Sequence, residues 1–250
     1  MFETTVRNPE PPLPPIDLSS PPVCERAAPS PRDTKQRLLD AAERLFAERG
    51  FEGTSMRAVT RAAATSVSAA NYHFGSKEAL LRAALVRRLE PLNRRRLEAL
   101  DELEAAAGDE PVAVEALLEA FLRPGYEAPR NAGEGRPPYR GVAARLYTDP
   151  HARVSSLKVE LFGPVVARFI DALAGTLPHR PRDELVLDFQ FVIGLLVHVI
   201  SGHTRAVGEG GETPSLADEW ILRHMVSFAA AGLRSGLAAE VSDRDLGADR

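Results

Sequence analysis

Cysteine, long apolar runs and signal-like patterns are all scarce in this sequence. Cys24 is the single cysteine among 250 residues, so the chain cannot close an internal disulfide or build a cysteine metal cluster. The most apolar stretch, residues 189–200, is interrupted by Gln190 and His198 and is too short to cross a membrane. The first residues lack the positive-then-apolar pattern of a secretory signal. We therefore expect a cytoplasmic protein with no membrane partner.

The motifs of common enzyme classes are also missing. No nucleophile elbow, phosphate-binding loop or dinucleotide-binding fingerprint occurs in the chain. His198 and His203 stand five residues apart, so they do not share a helix face well, and no carboxylate pair frames them in metal-ligand spacing. The sequence therefore predicts no catalysis, no metal site and no cofactor.

Charge is distributed unevenly along the chain, although the formal net charge is only −4. Residues 33–97 hold 13 Lys and Arg against 7 Asp and Glu, whereas residues 98–250 hold 15 against 24. A basic amino-terminal module joined to an acidic carboxy-terminal one is typical of a protein whose first part meets phosphate.

Proline dominates the first 32 residues, which hold nine of the 20 prolines in the chain. Because proline removes backbone donors and keeps the chain extended, residues 1–32 are predicted to form a disordered arm. Helix-period patterns begin at Asp33 and recur to about residue 240, and no segment alternates with period two. The predicted class is therefore all-α, with residues 241–250 as a flexible tail.

The predicted helices have recognisable starts and stops, marked by capping residues, glycine and proline. The first four are expected from Asp33 or Thr34 to Gly50, from Thr54 or Ser55 to Ala63, from Ser66 to Phe74, and beyond Gly75 until a break or kink at Pro91. Later helical stretches are expected over residues 92–107, 112–122, 139–148, 151–177, 182–205 and 215–237, with a loop over 123–138.

The second and third predicted helices, joined by a tight turn and preceded by a longer helix, describe a helix-turn-helix unit. Such a unit places its second short helix in the DNA major groove. Its inward positions must be apolar and its outward positions polar or compact. The inward candidates are Val59, Ala63, Ala70 and Phe74, and the outward candidates are Ser66, Ser68, Asn71, Tyr72 and His73.

Residues 34–80 resemble the DNA-binding domain of the TetR/AcrR family of transcriptional regulators. The resemblance rests on residues 45–51, on residues 53–57, and above all on residues 71–80, whose aromatic-His-Phe-x-x-Lys-x-x-Leu pattern is characteristic of the family. It implies an N-terminal helix-turn-helix domain over residues 33–80. It also implies a C-terminal helical effector-binding and dimerisation domain over residues 81–240, and a homodimeric repressor that binds double-stranded operator DNA.

The resemblance also implies roles for single residues. Arg57 would reach a base edge or a phosphate, while Tyr72, His73 and Lys77 would mostly contact phosphate. Asn71 could pair with adenine, or act as a helix cap or phosphate ligand instead. A helix start at Thr54 and Ser55 would favour an anion. The complete set of implied DNA contacts is Thr54, Ser55, Arg57, Ser66, Val67, Ser68, Ala69, Asn71, Tyr72, His73 and Lys77.

One departure from the family pattern lies in the turn before the third helix. Many members carry glycine followed by a branched apolar residue there, whereas this chain has Ala64 and Thr65. Alanine costs little if the turn avoids a positive φ, and more if it does not. The departure leaves the expected fold intact and bears only on where the third helix starts.

The last two predicted helices carry enough apolar residues to bury extensive surface. Residues 185–200 are apolar nearly all round, so most faces of that helix should be buried. Trp220, Ile221, Met225, Phe228 and Leu233 form a second apolar surface. The resemblance makes these two helices halves of a four-helix interface with a second copy of the chain, which suits two operator half-sites.

The resemblance places an effector pocket between the helices of residues 112–177. A long apolar, fatty-acid-like small molecule is the hypothesis, and plain core packing is the alternative for every lining residue. Ligand would shift the population of dimer arrangements, with the fourth helix transmitting the change. A helical interaction module without specific DNA binding is the alternative function. The predicted ligand contacts are Phe121, Tyr126, Leu146, Tyr147, Leu161, Phe162, Val165, Phe169 and Phe191.

Overall fold

Residues 31–128, 146, 147, 149–201 and 218–235 are described by a computed structural model, and within them the chain forms eight helices and no strand. The all-α prediction is confirmed. Residues 1–30 and 236–250, which include most of the predicted arm and all of the predicted tail, lie outside the described residues. The helices are α1 (Pro31–Arg49), α2 (Met56–Ala62), α3 (Val67–Phe74), α4 (Lys77–Ala107), α5 (Val114–Glu127), α6 (Ala152–Thr176), α7 (Arg182–Ile200) and α8 (Asp218–Ser235).

Serine side chains start three of the first four helices. Ser55, Ser66 and Ser76 have extended backbones, and each hydroxyl accepts the N–H three residues further on, at 3.0–3.2 Å. These bonds satisfy donors that the first helical turn would otherwise leave open. Gly50 and Gly75 follow α1 and α3 with φ angles of 71° and 74°, values that glycine adopts without strain. The predicted boundaries of α1 to α3 therefore agree with the structure to within a few residues.

Prolines inside the helices do not end them. The fourth helix runs through Pro91 to Ala107, so the helical stretch expected over residues 92–107 is confirmed, and of the two alternatives at Pro91 a break is wrong. Proline removes one hydrogen bond from the helix, but Leu89 and Leu92 on either side are buried, and this packing holds the helix together. Helix α5 likewise continues through Pro124 to Glu127, so the expectation that a loop begins at residue 123 is wrong, and residues 129–138 of that predicted loop lie outside the described residues. The predicted helix over residues 139–148 lies almost wholly outside the described residues.

Helix α4 links two groups of buried side chains. At its start, Leu80 is fully buried with Leu38, Val59 and Ala70 of the first three helices. Further along, α4 packs against α5 and α6. Among α5, α6 and α7, three phenylalanine rings meet with centroids 4.7–6.3 Å apart, from Phe121, Phe169 and Phe189.

A buried ion pair fixes α1 on α4. The side chain of Glu43 is completely buried, and its two oxygens bind Arg87 at 2.5 Å and Arg88 at 2.6 Å. Arg87 also binds Asp40 at 2.7 Å. A carboxylate buried in this way is tolerated only because it is paired and hydrogen-bonded. The packing of α1 on α4 therefore depends on the ion pairs of Glu43 as well as on apolar contacts.

Within the described ranges, none of the helices is both long enough and apolar enough to cross a bilayer.

Candidate nucleic-acid interface

The turn between α2 and α3 holds these two helices together. Ala64 has a φ of 48°, so the backbone at this position is left-handed. The N–H of Thr65 donates to the carbonyl of Thr60 at 2.9 Å, and Arg37 of α1 donates to the carbonyl of Ala64 at 3.4 Å. The predicted turn is present, and it requires the positive φ that glycine adopts more readily than alanine.

The inward face of the unit is apolar, as expected. Val59 and Ala70 are fully buried and Ala63 is 4% exposed, so α2 and α3 approach each other through small or branched side chains. Phe74 is half-buried and packs against the same core. The burial of these apolar residues therefore determines which side of α3 faces the core and which side faces solvent.

The outward face of α3 is polar and open to solvent. Ser68, Asn71 and Tyr72 lie three and four positions apart, so they share one side of the helix, and all three are exposed. Tyr72 is 85% exposed, and its ring meets the ring of His73 in an edge-on arrangement, with 5.2 Å between centroids. Val67 is 38% exposed, while Ala69 and His73 are half-buried. A helix face that combines an exposed aromatic ring, a side-chain amide and hydroxyls can enter the groove of a polar partner and form hydrogen bonds there.

Two arginines of α2, the helix that precedes α3, are also exposed. Arg57 and Arg61 are one helical turn apart, are exposed, and have no ion-pair partner among the described residues. Arg57 was predicted from the sequence but Arg61 was missed, although the four-residue spacing would have shown that they share a face. Their charges are available to phosphate.

Most cations of α4, by contrast, are paired within the chain. Besides the arginines bound to Glu43, Arg82 binds Glu160 at 2.5 Å and Arg95 lies 3.5 Å from Glu127. The basic excess counted over residues 33–97 is therefore not all available to DNA. At the helix-turn-helix, the exposed cations without an ion pair among the described residues are Lys35, Arg44 and Arg49 of α1 and Arg57 and Arg61 of α2.

Two of the predicted DNA contacts are placed differently from expectation. Thr54 is 1% exposed, and its hydroxyl donates inward to the carbonyls of Gly50 at 2.8 Å and Leu45 at 3.1 Å, so its side chain cannot reach a phosphate. Lys77 is half-buried; its ammonium donates to the carbonyl of Phe51 at 3.1 Å and lies 4.0 Å from the centre of that ring. Both residues fix the turn between α1 and α2.

Most of the predicted effector contacts lie in the core of the second half. Phe121, Tyr126, Val165 and Phe169 are at most 4% exposed. The hydroxyl of Tyr126 donates to Asp218 at the start of α8, at 2.9 Å. The remaining members of this group are Tyr147 and Phe162, whose rings are 5.9 Å apart, and Leu161, whose carbonyl accepts the side-chain amide of Asn93 at 2.8 Å. Their role as ligand contacts stays a prediction.

Leu146 and Phe191 are not placed between the helices of residues 112–177. Leu146 is buried against the amino-terminal half, where it lines a small cavity of about 30 Å³ with Phe46 and Leu85. Phe191 is 65% exposed on the outer side of α7 and lines a shallow apolar groove with Phe228. The prediction grouped them with the pocket because apolar residues in pockets, cores and interfaces have the same composition.

The geometry defines a class of protein: a helix-turn-helix unit with an exposed recognition helix, continued by a long helix into an α-helical second part. Two family models match the chain. The model described as bacterial regulatory proteins, tetR family, matches residues 38–84, and the model described as tetracyclin repressor-like, C-terminal domain, matches residues 119–232. The chain belongs to the TetR family of transcriptional regulators. Regulators of this family bind operator DNA and act as dimers.

Curated relatives match a short part of the chain. The chain is 42% identical over 53 residues to the HTH-type transcriptional regulator UidR of Escherichia coli (strain K12), covering 21% of this chain and 27% of UidR. It is 40% identical over 57 residues to the HTH-type transcriptional repressor AcnR of Corynebacterium glutamicum, covering 23% of this chain and 30% of AcnR. The chain thus matches less than a third of either relative.

Solved structures extend the likeness to the whole fold. PfmR, a TetR family transcriptional regulator from Thermus thermophilus, aligns with a TM-score of 0.50 at 20% identity, over 79% of this chain and 98% of PfmR. HlyIIR, a hemolysin II transcriptional regulator, aligns with a TM-score of 0.51 at 18% identity, over 81% of this chain and 97% of HlyIIR. At these identities the likeness shows the fold.

Proposed function

We propose that the chain represses transcription by binding an operator as a homodimer, with α3 in the major groove, and leaves the DNA when a small apolar effector enters the second half. The observation that carries the proposal is the outward face of α3, where Asn71 and Tyr72 are exposed, together with the exposed Arg57 and Arg61 of α2. Phosphate contacts from the arginines would set position, and contacts from α3 to base edges would set sequence preference.

Dimerisation is supported by the exposed apolar side chains of α7 and α8. A monomer gains nothing from leaving large apolar groups in water, whereas a two-fold interface would cover them. The groove between Phe191 and Phe228 would receive a side chain of the second copy. The exposed apolar residues of this surface are Val186, Leu187, Phe191, Trp220 and Phe228.

The effector is proposed to enter among α5, α6 and α7, where Phe121, Phe169 and Phe189 supply aromatic surface. These rings are in contact with one another, so an apolar molecule must separate them and would favour a different helix arrangement. Such a ligand changes DNA affinity only by the difference in its own affinity for the two arrangements.

The operator proposal is tested by selecting duplexes from a random-sequence pool and titrating the enriched duplex by fluorescence anisotropy. Arg57→Ala should weaken binding to all sequences alike and lower the salt slope by about one. Asn71→Ala should relax preference at one base pair if it reads a base. Arg182→Ala removes an exposed arginine at the start of α7, far along the chain from α3, and is the matched control. Failure to enrich any sequence would favour an interaction module that does not bind specific DNA.

The dimer and effector proposals have separate tests. Phe228→Lys should yield monomers in sedimentation velocity, whereas Val159→Lys, at another exposed apolar position on α6, should not.

For the effector, saturated fatty acids of increasing chain length are added to the protein–operator complex. Release that grows with chain length supports an elongated apolar ligand, and no release at any length refutes this ligand class.

A further inference from the structure

We propose that Asp149 and the residues next to it form a second connection between the two halves of the chain, parallel to α4, and that Asp149 is a positioning residue for the helix-turn-helix. The inference rests on the proposed function, because it concerns how the second half controls the DNA-binding surface. Asp149 stands three residues before the first residue of α6 and 98 positions beyond Phe51, yet the two residues are hydrogen-bonded.

The carboxylate of Asp149 is buried and holds two backbone segments together. It is 6% exposed; one oxygen accepts the N–H of Phe51 at 3.0 Å and the other accepts the N–H of His151 at 3.1 Å. Phe51 is itself buried, so its N–H has no access to water in place of this bond. Loss of the carboxylate would leave a buried donor unsatisfied, which is among the more costly single changes in a protein.

Phe51 is held from other sides as well. Its ring lies 4.7 Å from the ring of His151, centroid to centroid, and its carbonyl accepts the ammonium of Lys77 at 3.1 Å. His151 also contacts the carboxylate of Glu52 at 2.7 Å. One residue of the α1–α2 turn is therefore clamped between the start of α4 and the start of α6.

Apolar and ionic contacts broaden the same junction. Leu146 and Val154 are buried and line a small cavity with Leu81 of α4. Arg153, in the first turn of α6, forms an ion pair with Glu78 in the first turn of α4. The contact therefore involves the residues on both sides of Asp149 as well as its carboxylate.

The junction around Asp149 lies where a change in it can affect the DNA-binding surface. The turn it holds leads directly into α2, and α2 carries Arg57 and leads through a tight turn into α3. On the other side, Asp149 stands three residues before α6, which packs against α4, α5 and α7. A displacement of α6 is therefore passed to the α1–α2 turn without going through the length of α4.

The first arm of the test measures amide hydrogen exchange on the full chain, with no DNA or effector. In Asp149→Ala, exchange of residues 50–56 should rise at least about tenfold, as expected for a lost buried hydrogen bond, while α7 stays as in the wild type. Asp149→Asn keeps one acceptor and should give an intermediate rise. Asp171→Ala breaks an exposed ion pair from α6 to Arg182 and is the matched control.

The second arm measures affinity for the duplex enriched on the wild-type protein. Asp149→Ala should weaken binding about tenfold, with an unchanged slope of log affinity against log salt, because no phosphate contact is lost. Unchanged exchange in residues 50–56, or a reduced salt slope that reveals a direct contact, would overturn the positioning role. If no duplex is enriched, the proposed function fails, and the exchange arm still decides whether the junction holds the turn.

Discussion

Replacing Ala64 by glycine tests the turn between α2 and α3. Ala64 has a φ of 48°, in the left-handed region that costs an L-residue about 1–2 kcal/mol. Glycine removes this strain but enlarges the unfolded ensemble, at a cost of about 0.4–1 kcal/mol. Because Ala64 is exposed, little packing is lost. We therefore expect Ala64→Gly to raise the free energy of unfolding by about 0.5–1 kcal/mol, the balance of these two effects.

The measurement is urea unfolding followed by circular dichroism, with a thermal melt as a second reading. A gain of this size should move the melting temperature of a chain this long up by about 2 °C. Ala105→Gly is the matched control, because Ala105 is an exposed helical residue of α4. There, glycine should lower the free energy of unfolding by about 0.5–1 kcal/mol.

The two variants thus share one chemical change and should have opposite signs. Equal destabilisation by both would refute the reasoning, because it would mean that residue 64 has no left-handed strain to relieve. A stabilised Ala64→Gly protein that binds its selected duplex as well as the wild type would also show that the strained alanine is not needed for recognition.

Three further predictions concern how the helices are held together. Glu43→Gln should lower the free energy of unfolding by about 2 kcal/mol in urea, because it leaves two arginines of α4 without their buried carboxylate. Gly125→Ala should lower it by about 1 kcal/mol, since a Cβ would lie 3.0 Å from both a buried arginine of α4 and a leucine of α7; Gly175→Ala, which has open space, should not. The pKa of Glu115 is lowered, chiefly by its hydrogen bond from Arg234, so this pair stabilises the fold above the ordinary carboxyl pKa and is lost as the pH falls through the lowered value. Melting temperatures of Glu115→Gln and wild type should therefore differ at pH 7 and converge in acid; a constant difference would contradict this.

The sequence predicted the helix-turn-helix well because its determinants are local. Serine caps at residues 55 and 66, glycines at 50 and 75, and the inward spacing of Val59 and Ala70 all act over a few residues. Helix period and capping chemistry are read from such short windows. For the same reason the exposed polar face of α3 could be predicted from the spacing of its own residues.

The failures have a different origin, since each depends on how the helices pack or on contacts between them rather than on the local pattern. Pro91 signals a helix end locally, but packing on both sides of it keeps α4 continuous. Thr54 looks like a free helix start until α1 is folded against it, when its hydroxyl turns inward. The hydrogen bond from Phe51 to Asp149 cannot be predicted from the sequence, because no local pattern around either residue indicates that the two are partners.

The same distinction between local pattern and packing explains why the proposed DNA-binding face can be inferred from the sequence more fully than the proposed effector site. A DNA-binding face must be exposed and polar on a helix whose other side is buried, so its residues follow from the fold of one short unit. An effector site has to be apolar and enclosed, as a core is, and Phe121 and Phe169 satisfy both descriptions. Composition cannot separate these roles, whereas ligand-dependent release of DNA can. The proposed physical link between the two surfaces therefore lies in the side chains of α4 and of Asp149. A single substitution there can show whether a change in DNA affinity comes from a displaced α1–α2 turn or from a general loss of stability.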